Sequence, residues 1–91
     1  MIKIKITGLF DKQLKTLYSN HKNLHSVIQK RIKLFQTNPH DTRLKNHALT
    51  RRLKGKWAFS ITPDIRIIYV WVGEHTVRFL AIGTHEQVYG R

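Results

Sequence analysis

The 91-residue sequence predicts an α+β domain of order β-α-α-β-β-β, in which an antiparallel sheet packs on a helical hairpin, and three observations carry that expectation. Residues 2 to 6 alternate strictly between isoleucine and lysine, the period of a half-buried strand. Residues 10 to 35 contain two stretches whose apolar side chains recur at helical spacing. From Trp57 to Ile82, three runs rich in β-branched and aromatic residues are separated by turn signals. Helices early and a meander late favour a segregated architecture over alternating β and α units.

Each element follows from its residues. Ile2, Ile4 and Ile6 are expected to face inward from the first strand, and Gly8 marks its end. Phe10, Leu14, Leu17 and Tyr18 line one face of a first helix, with Asp11, Lys12, Gln13 and Lys15 on the other, closed by Ser19-Asn20-His21. Leu24, Val27, Ile28, Ile32 and Phe35 define a second helix, with Asn23 as the expected N-cap and Asn38-Pro39 as the stop. Residues 40 to 56 form a polar, basic segment anchored by Leu44, Leu49 and Leu53. Trp57 to Ile61, Ile65 to Trp71 and Thr76 to Ile82 are strands, joined by a Thr62-Pro63-Asp64 turn and a hairpin at Gly73-Glu74. Residues 83 to 91 read as a short polar tail leaving the last strand, and the chain reads as one domain over residues 1 to 91.

Seventeen Lys and Arg against five Asp and Glu give a formal charge of +12. A radius of gyration of about 12 Å leaves room for one core and no cleft between lobes, so an active site must lie on the surface. An apolar fraction of 41% is too high for a disordered basic tail, so the charge sits on a folded body. Such an imbalance calls for a polyanionic partner. The sequence has no cysteine, which removes disulfides, thiolate zinc sites and cysteine nucleophiles. No apolar run is long enough to cross a membrane, and the start MIKIKITGLF has no signal-type apolar core, so the cytoplasm is the expected compartment and no membrane partner is expected.

The chemistry-bearing candidates lie in the second half. If Trp57, Phe59 and Ile61 pack on the helices, then Ala58, Ser60 and Thr62 look onto a face that no other element is available to cover. Arg66 falls on that face, where its guanidinium can hold a phosphate through two parallel hydrogen bonds; the alternatives are a pair with Asp64 or a solvated strand start. His85 and Tyr89 follow the last strand, and an imidazole with a phenol suits RNA cleavage by the ribose 2′-hydroxyl. That reaction requires no metal or other cofactor. The bland alternative makes His85 a surface histidine and Tyr89 a packing residue. His47 is a further acid–base candidate or a solvated loop residue. Asp64 can orient His47 or His85, bind Arg66, or cap its turn. Arg51, Arg52, Lys54 and Lys56 are the natural phosphate-tracking group. The remaining histidines show no metal-ligand spacing, and no Gly-rich phosphate loop or serine elbow is present.

Three segments are similar to one known family: Leu53-Lys54-Gly55-Lys56-Trp57-Ala58-Phe59-Ser60-Ile61, Asp64-Ile65-Arg66-Ile67-Ile68-Tyr69, and Ile82-Gly83-Thr84-His85-Glu86-Gln87-Val88-Tyr89. In order and spacing they resemble the RelE/ParE superfamily of bacterial type II toxins, in particular its YafQ-like mRNA interferase branch. The resemblance implies a microbial-ribonuclease-like fold, endonucleolytic mRNA cleavage, often on the ribosome, and neutralisation by a cognate antitoxin, expected to offer an acidic helical segment. It places His47, Asp64, His85 and Tyr89 at catalytic positions and Arg66 at a phosphate-contacting one. Where relatives carry an acid, a histidine or lysines on the strand facing the cleft, this chain has Ala58 and Ser60, which shifts the chemistry onto His85, His47, Arg66 and Lys54. It also leaves open a ParE-like toxin that binds DNA gyrase and cleaves nothing.

Overall fold

The computed structural model describes residues 1–89. The meander is as the sequence predicts: β3 (Trp57–Ser60), β4 (Ile65–Trp71) and β5 (Thr76–Thr84) pair antiparallel in succession. Two further strands flank it, β1 (Lys3–Ile6) beside β5 and the two-residue β2 (His47–Ala48) beside β3, giving the order β1-β5-β4-β3-β2. The sheet is mixed, not antiparallel throughout, because β1 runs parallel to β5, with Lys3 facing Thr76 and Ile6 facing Phe79. Parallel neighbours require a crossover, and the helical hairpin that follows β1 supplies the needed length of chain. At this edge Ile2 is buried and Ile4 half-buried, but Ile6 is 50% exposed, so only part of the isoleucine stripe reaches the core.

Helix α1 (Gly8–Asn20) starts on Thr7, whose hydroxyl accepts from the Phe10 N–H at 3.0 Å and donates to the Leu80 carbonyl at 3.0 Å. One side chain therefore caps the helix and ties it to β5. Helix α2 (Leu24–Thr37) departs from expectation at its start. Asn23 has helical backbone angles and makes no capping bond. Its role is taken by backbone turns, since the Leu24 and His25 N–H groups reach the His21 and Lys22 carbonyls. Asn38 ends α2 as expected, its N–H bonding the Leu34 carbonyl at 2.7 Å, and Pro39 follows.

The two layers meet in an aromatic cluster. Phe35 of α2 stacks on Phe59 of β3 with centroids 4.4 Å apart, while Tyr69 and Phe79 present edges to it at 4.9 and 5.9 Å. Such offset and edge contacts add to simple burial. Within β5, Phe79 faces Tyr69 and Ala81 faces Ile68, which makes Leu80 an extra residue in the ladder. The bulge lets Phe79 and Ile82, three positions apart, both point into the core.

The opposite face is not open as the alternation suggests. Ala58 is fully buried and Ile68 nearly so. Residues 85 to 89, expected as part of a tail, are a short helix α3 (His85–Tyr89) packed against β4 and β5, while the rest of that expectation, at residues 90 and 91, lies outside the described residues. The basic segment is also ordered into two 3₁₀ turns, Thr42–Leu44 and Arg51–Leu53, on either side of β2. Its anchor is Asn46, which donates to the Pro39 carbonyl at 3.0 Å and accepts from the buried Tyr69 hydroxyl at 2.8 Å. Among the described residues, no helix is long and apolar enough to cross a membrane.

Burial pushes the Tyr69 phenol up to about 12, with the Asn46 bond acting against the shift. A phenol raised above its ordinary value favours the protonated folded state, so its contribution is full below pH 10 and is lost between about pH 10 and 12. Tyr69→Phe should remove the hydroxyl bond and lower stability by about 1–3 kcal/mol in urea melts at pH 7. The variant should also flatten the decline above pH 10; an unchanged alkaline limb would contradict the role given to this phenol.

Candidate functional site

Strand register decides which side chains share the outer face. Ser60 of β3, Arg66 of β4 and Gly83 of β5 form one row across the sheet, and His47, Ala58, Ile68 and Ala81 form the next. His47 and Arg66 are therefore on the same face, two strand spacings, or about 10 Å, apart across the sheet. Ala58 and Ser60 lie between them with a methyl and a hydroxyl; the face is covered over the fully buried Ala58 and partly open at the half-buried Ser60.

His47 is exposed, and its Nδ1 lies 2.8 Å from the Lys45 carbonyl oxygen. A carbonyl only accepts, so Nδ1 carries the hydrogen and Nε2 of the neutral ring is left as an acceptor. The carbonyl is aimed by Lys45 itself, which sits in the left-handed region at φ 51° as the cap of the Thr42–Leu44 turn.

His85 and Tyr89 come from α3, and the local sequence explains why a helix forms. Thr84-His85-Glu86-Gln87 is a capping box: the Thr84 hydroxyl accepts from the Gln87 N–H at 3.3 Å, and Gln87 Oε1 accepts from the Thr84 N–H at 2.8 Å. Gly83 is required beside it, since a Cβ there would lie 2.5 Å from Gln87 Oε1 and 3.1 Å from Gln87 Cβ. One turn on, the Tyr89 ring meets the His85 ring at 4.2 Å. Partial burial raises the Tyr89 phenol and the charge of Arg66 works against the rise, which places both on one electrostatic neighbourhood.

The phosphate-tracking group divides. Arg51, Lys54 and Lys56 lie in and just after the second 3₁₀ turn, the first two exposed and Lys56 half-buried. Arg52 donates from Nη2 to the Tyr89 carbonyl at 2.9 Å, so it holds the end of α3 against the basic segment. That positioning duty was not legible in the sequence. Asp64 stands apart. It is exposed in the β3–β4 turn, where its N–H and that of Ile65 bond the Thr62 hydroxyl, and its carboxylate makes no hydrogen bond or ion pair among the described residues. Asp64 sits in the turn without capping it, since Thr62 supplies the hydroxyl, and no histidine and not Arg66 touches its carboxylate among the described residues. Among the described residues no cluster of His, Asp and Glu could hold a metal ion.

A mixed five-stranded sheet, a helical hairpin behind it and a strongly basic composition define the class, that of the small basic α+β domains. The solved structure of YafQ from E. coli strain BL21(DE3) is similar at 26% identity, a TM-score of 0.82, and 99% and 100% of the two chains covered. YafQ in the E. coli DinJ–YafQ complex matches at 27% identity and a TM-score of 0.81, over 99% of this chain and 100% of that one. A YoeB/ParE toxin from Agrobacterium tumefaciens, 18% identical, shares the fold at a TM-score of 0.78 over 92% of this chain and 99% of its own. Among curated proteins, none matches the chain. A family model described as bacterial toxin of type II toxin-antitoxin system, YafQ, matches residues 2–90, and the chain belongs to this family.

The capping box and Gly83 generate a local test. Gly83→Ala should force α3 off β4 and β5 while the aromatic core persists. Amide exchange at residues 87 to 89 should quicken at least tenfold with the rest of the sheet still protected; equal protection of α3 in the variant would show that the close approach is not needed.

Proposed function

We propose that this toxin is an endoribonuclease that cleaves mRNA, on the ribosome, by attack of a ribose 2′-hydroxyl on its own 3′-phosphate. The single observation that supports it most is that Arg66 shares the outer face with His47 and acts electrostatically on Tyr89, whose ring meets that of His85. In-line displacement needs a base on one side of the phosphorus and an acid on the other, with positive charge at the equatorial oxygens. We assign those two proton-transfer roles to His47 and His85 and the charge to Arg66.

In this reading Arg66 holds the scissile phosphate through its guanidinium fork. His47, with Nδ1–H fixed on the Lys45 carbonyl, offers Nε2 to take the proton of the 2′-hydroxyl. His85, as imidazolium, gives a proton to the departing 5′-oxygen. The bond broken is P–O5′ and the bond formed is P–O2′, leaving a 2′,3′-cyclic phosphate and a 5′-hydroxyl. Tyr89 flanks His85 and is available to stack on a base. Arg51, Lys54 and Lys56 track the adjoining backbone, with Arg52 contributing charge while it holds Tyr89. Asp64 acts at most through the field it adds near Arg66.

The antitoxin follows from the same surface. E. coli YafQ has been crystallised with DinJ. We infer a cognate antitoxin for this chain too, whose acidic segment competes with RNA for the cationic face, and a cytoplasmic site of action. No feature of the site favours gyrase binding over cleavage.

His85→Gln should lower the cleavage rate by about 10²–10⁴-fold, the usual worth of a general acid or base, with circular dichroism and melting temperature unchanged. Arg66→Lys should not restore activity lost in Arg66→Ala, because an ammonium cannot form the fork. Primer extension after induction should map cuts inside translated messages. Growth arrest with no new RNA ends, together with an SOS response, would instead identify a gyrase-directed toxin.

A further inference from the structure

A second cationic feature adjoins the row of catalytic candidates and shares Ser60 and Arg66 with it. β2 pairs only with Trp57 and Ala58, so β3 beyond Ala58 has no strand on that side. The vacancy is a cavity of about 220 Å³ lined by Ser60, Thr62, Arg66, Arg31 of α2, and Arg43 and Lys45 of the first 3₁₀ turn. Four of these residues are cations and none is an acid. The volume lies below the roughly 300–1,000 Å³ of pockets that enclose drug-sized ligands, so it suits a small anionic group.

The cations are held in place. Arg43 is locked by Asp41, with Nε and Nη2 each 2.9 Å from a carboxylate oxygen, an arrangement that drops the Asp41 carboxyl to about 2. Arg31 donates from Nη1 to the Arg43 carbonyl at 3.1 Å, which fixes its guanidinium at the mouth while leaving other N–H groups to spare. Lys45 lines the cavity and offers its carbonyl to His47, so one residue joins cavity and candidate base. Arg66 belongs to both the cavity and the field around Tyr89.

We infer that this cavity is a second phosphate subsite, which holds the phosphodiester next to the reacting one and sets the path of the RNA over the free end of β3. The inference rests on the endoribonuclease reading for its ligand. Two phosphates one linkage apart, one on Arg66 and one among Arg31, Arg43 and Lys45, would fix the strand direction and leave the 2′-hydroxyl between them facing His47. Hydroxyls of Ser60 and Thr62 add donors suited to phosphate oxygens.

The test uses an uncleavable probe, a 2′-O-methyl decaribonucleotide, bound to the full chain over a range of NaCl concentrations. The double variant Arg31→Gln/Lys45→Asn removes two cations, with asparagine chosen because it accepts the left-handed backbone at position 45. Loss of one phosphate contact should reduce the slope of log K against log salt by about 0.7 and weaken binding several-fold at low salt. Lys22→Gln, in the turn between the helices and remote from the cavity, should leave the slope unchanged. A melting curve on each variant separates unfolding from lost binding, and Arg31→Gln alone serves if the double variant does not fold. An unchanged slope overturns the subsite, as does an equal fall in Lys22→Gln. If the double variant binds the RNA normally but loses an oligo-glutamate peptide, the cavity is a carboxylate site for an acidic protein and the inference fails. Cleavage of an unmodified RNA by the wild type is read separately, so a toxin that binds through this cavity yet cuts nothing defeats the nuclease reading alone.

Discussion

The outer face depends on one buried hydrogen-bonded link. The Tyr69 ring lies among Phe35, Phe59, Phe79 and the two tryptophans, its hydroxyl donates to Asn46, and Asn46 in turn donates to the Pro39 carbonyl. The basic segment has few apolar side chains to hold it down, and self-repulsion among its cations favours detachment. A polar pair formed at the edge of the core is strong because leaving either partner unpaired is costly. It fixes Asn46, hence its neighbour His47 in β2 and Lys45 in its left-handed turn. The aromatic core thus sets the position of a surface histidine with which it has no direct contact.

A second link closes the site from the other end. Arg52 reaches from the basic segment to the Tyr89 carbonyl, so α3 and the second 3₁₀ turn hold each other. An arginine can do this while keeping its charge, which explains how a chain with so few acids remains folded. Among the described residues only Asp11 and Asp41 form ion pairs, with Lys15 and Arg43, and both pairs are short-range in sequence. With five acids against seventeen Lys and Arg, the surface keeps a large net positive charge for a polyanion to bind.

Legibility in the sequence followed the range of the interaction. The meander, both helices, the Thr62–Asp64 turn and the Asn38–Pro39 stop depend on neighbouring residues, and the sequence shows all of them. The parallel place of β1 depends on Val77 and Phe79 more than seventy residues away, and alternation alone carries no direction. α3 was within reach, because Thr84-x-x-Gln87 is a recognisable capping box, but five residues after a strand look like a tail unless the glycine before them is seen as room for Gln87. His47 looks like a loop histidine because a two-residue strand has no periodicity. Of the site, Arg66, His85 and Tyr89 could be placed from strand phase and spacing. The anchoring by Asn46 and Arg52, and the part of Arg31, could not, since each joins elements that only the fold brings together.

The small residues Ala58 and Ser60 acquire a meaning from this geometry. On the strand facing the cleft they supply no proton donor or base at neutral pH, so a mechanism built on β3 is closed to this chain. Ala58 is fully covered, while Ser60 opens directly on the cavity shared by Arg66 and Arg31. The cost of dispensing with a charged group at the centre of the face is therefore offset at its margins, by histidines on the flanking elements and by arginines at the free end of β3. In the proposed reaction proton transfer and charge stabilisation fall to separate elements, and the short β2 bears on both: it carries His47, and by ending after two residues it leaves the cationic edge beside it.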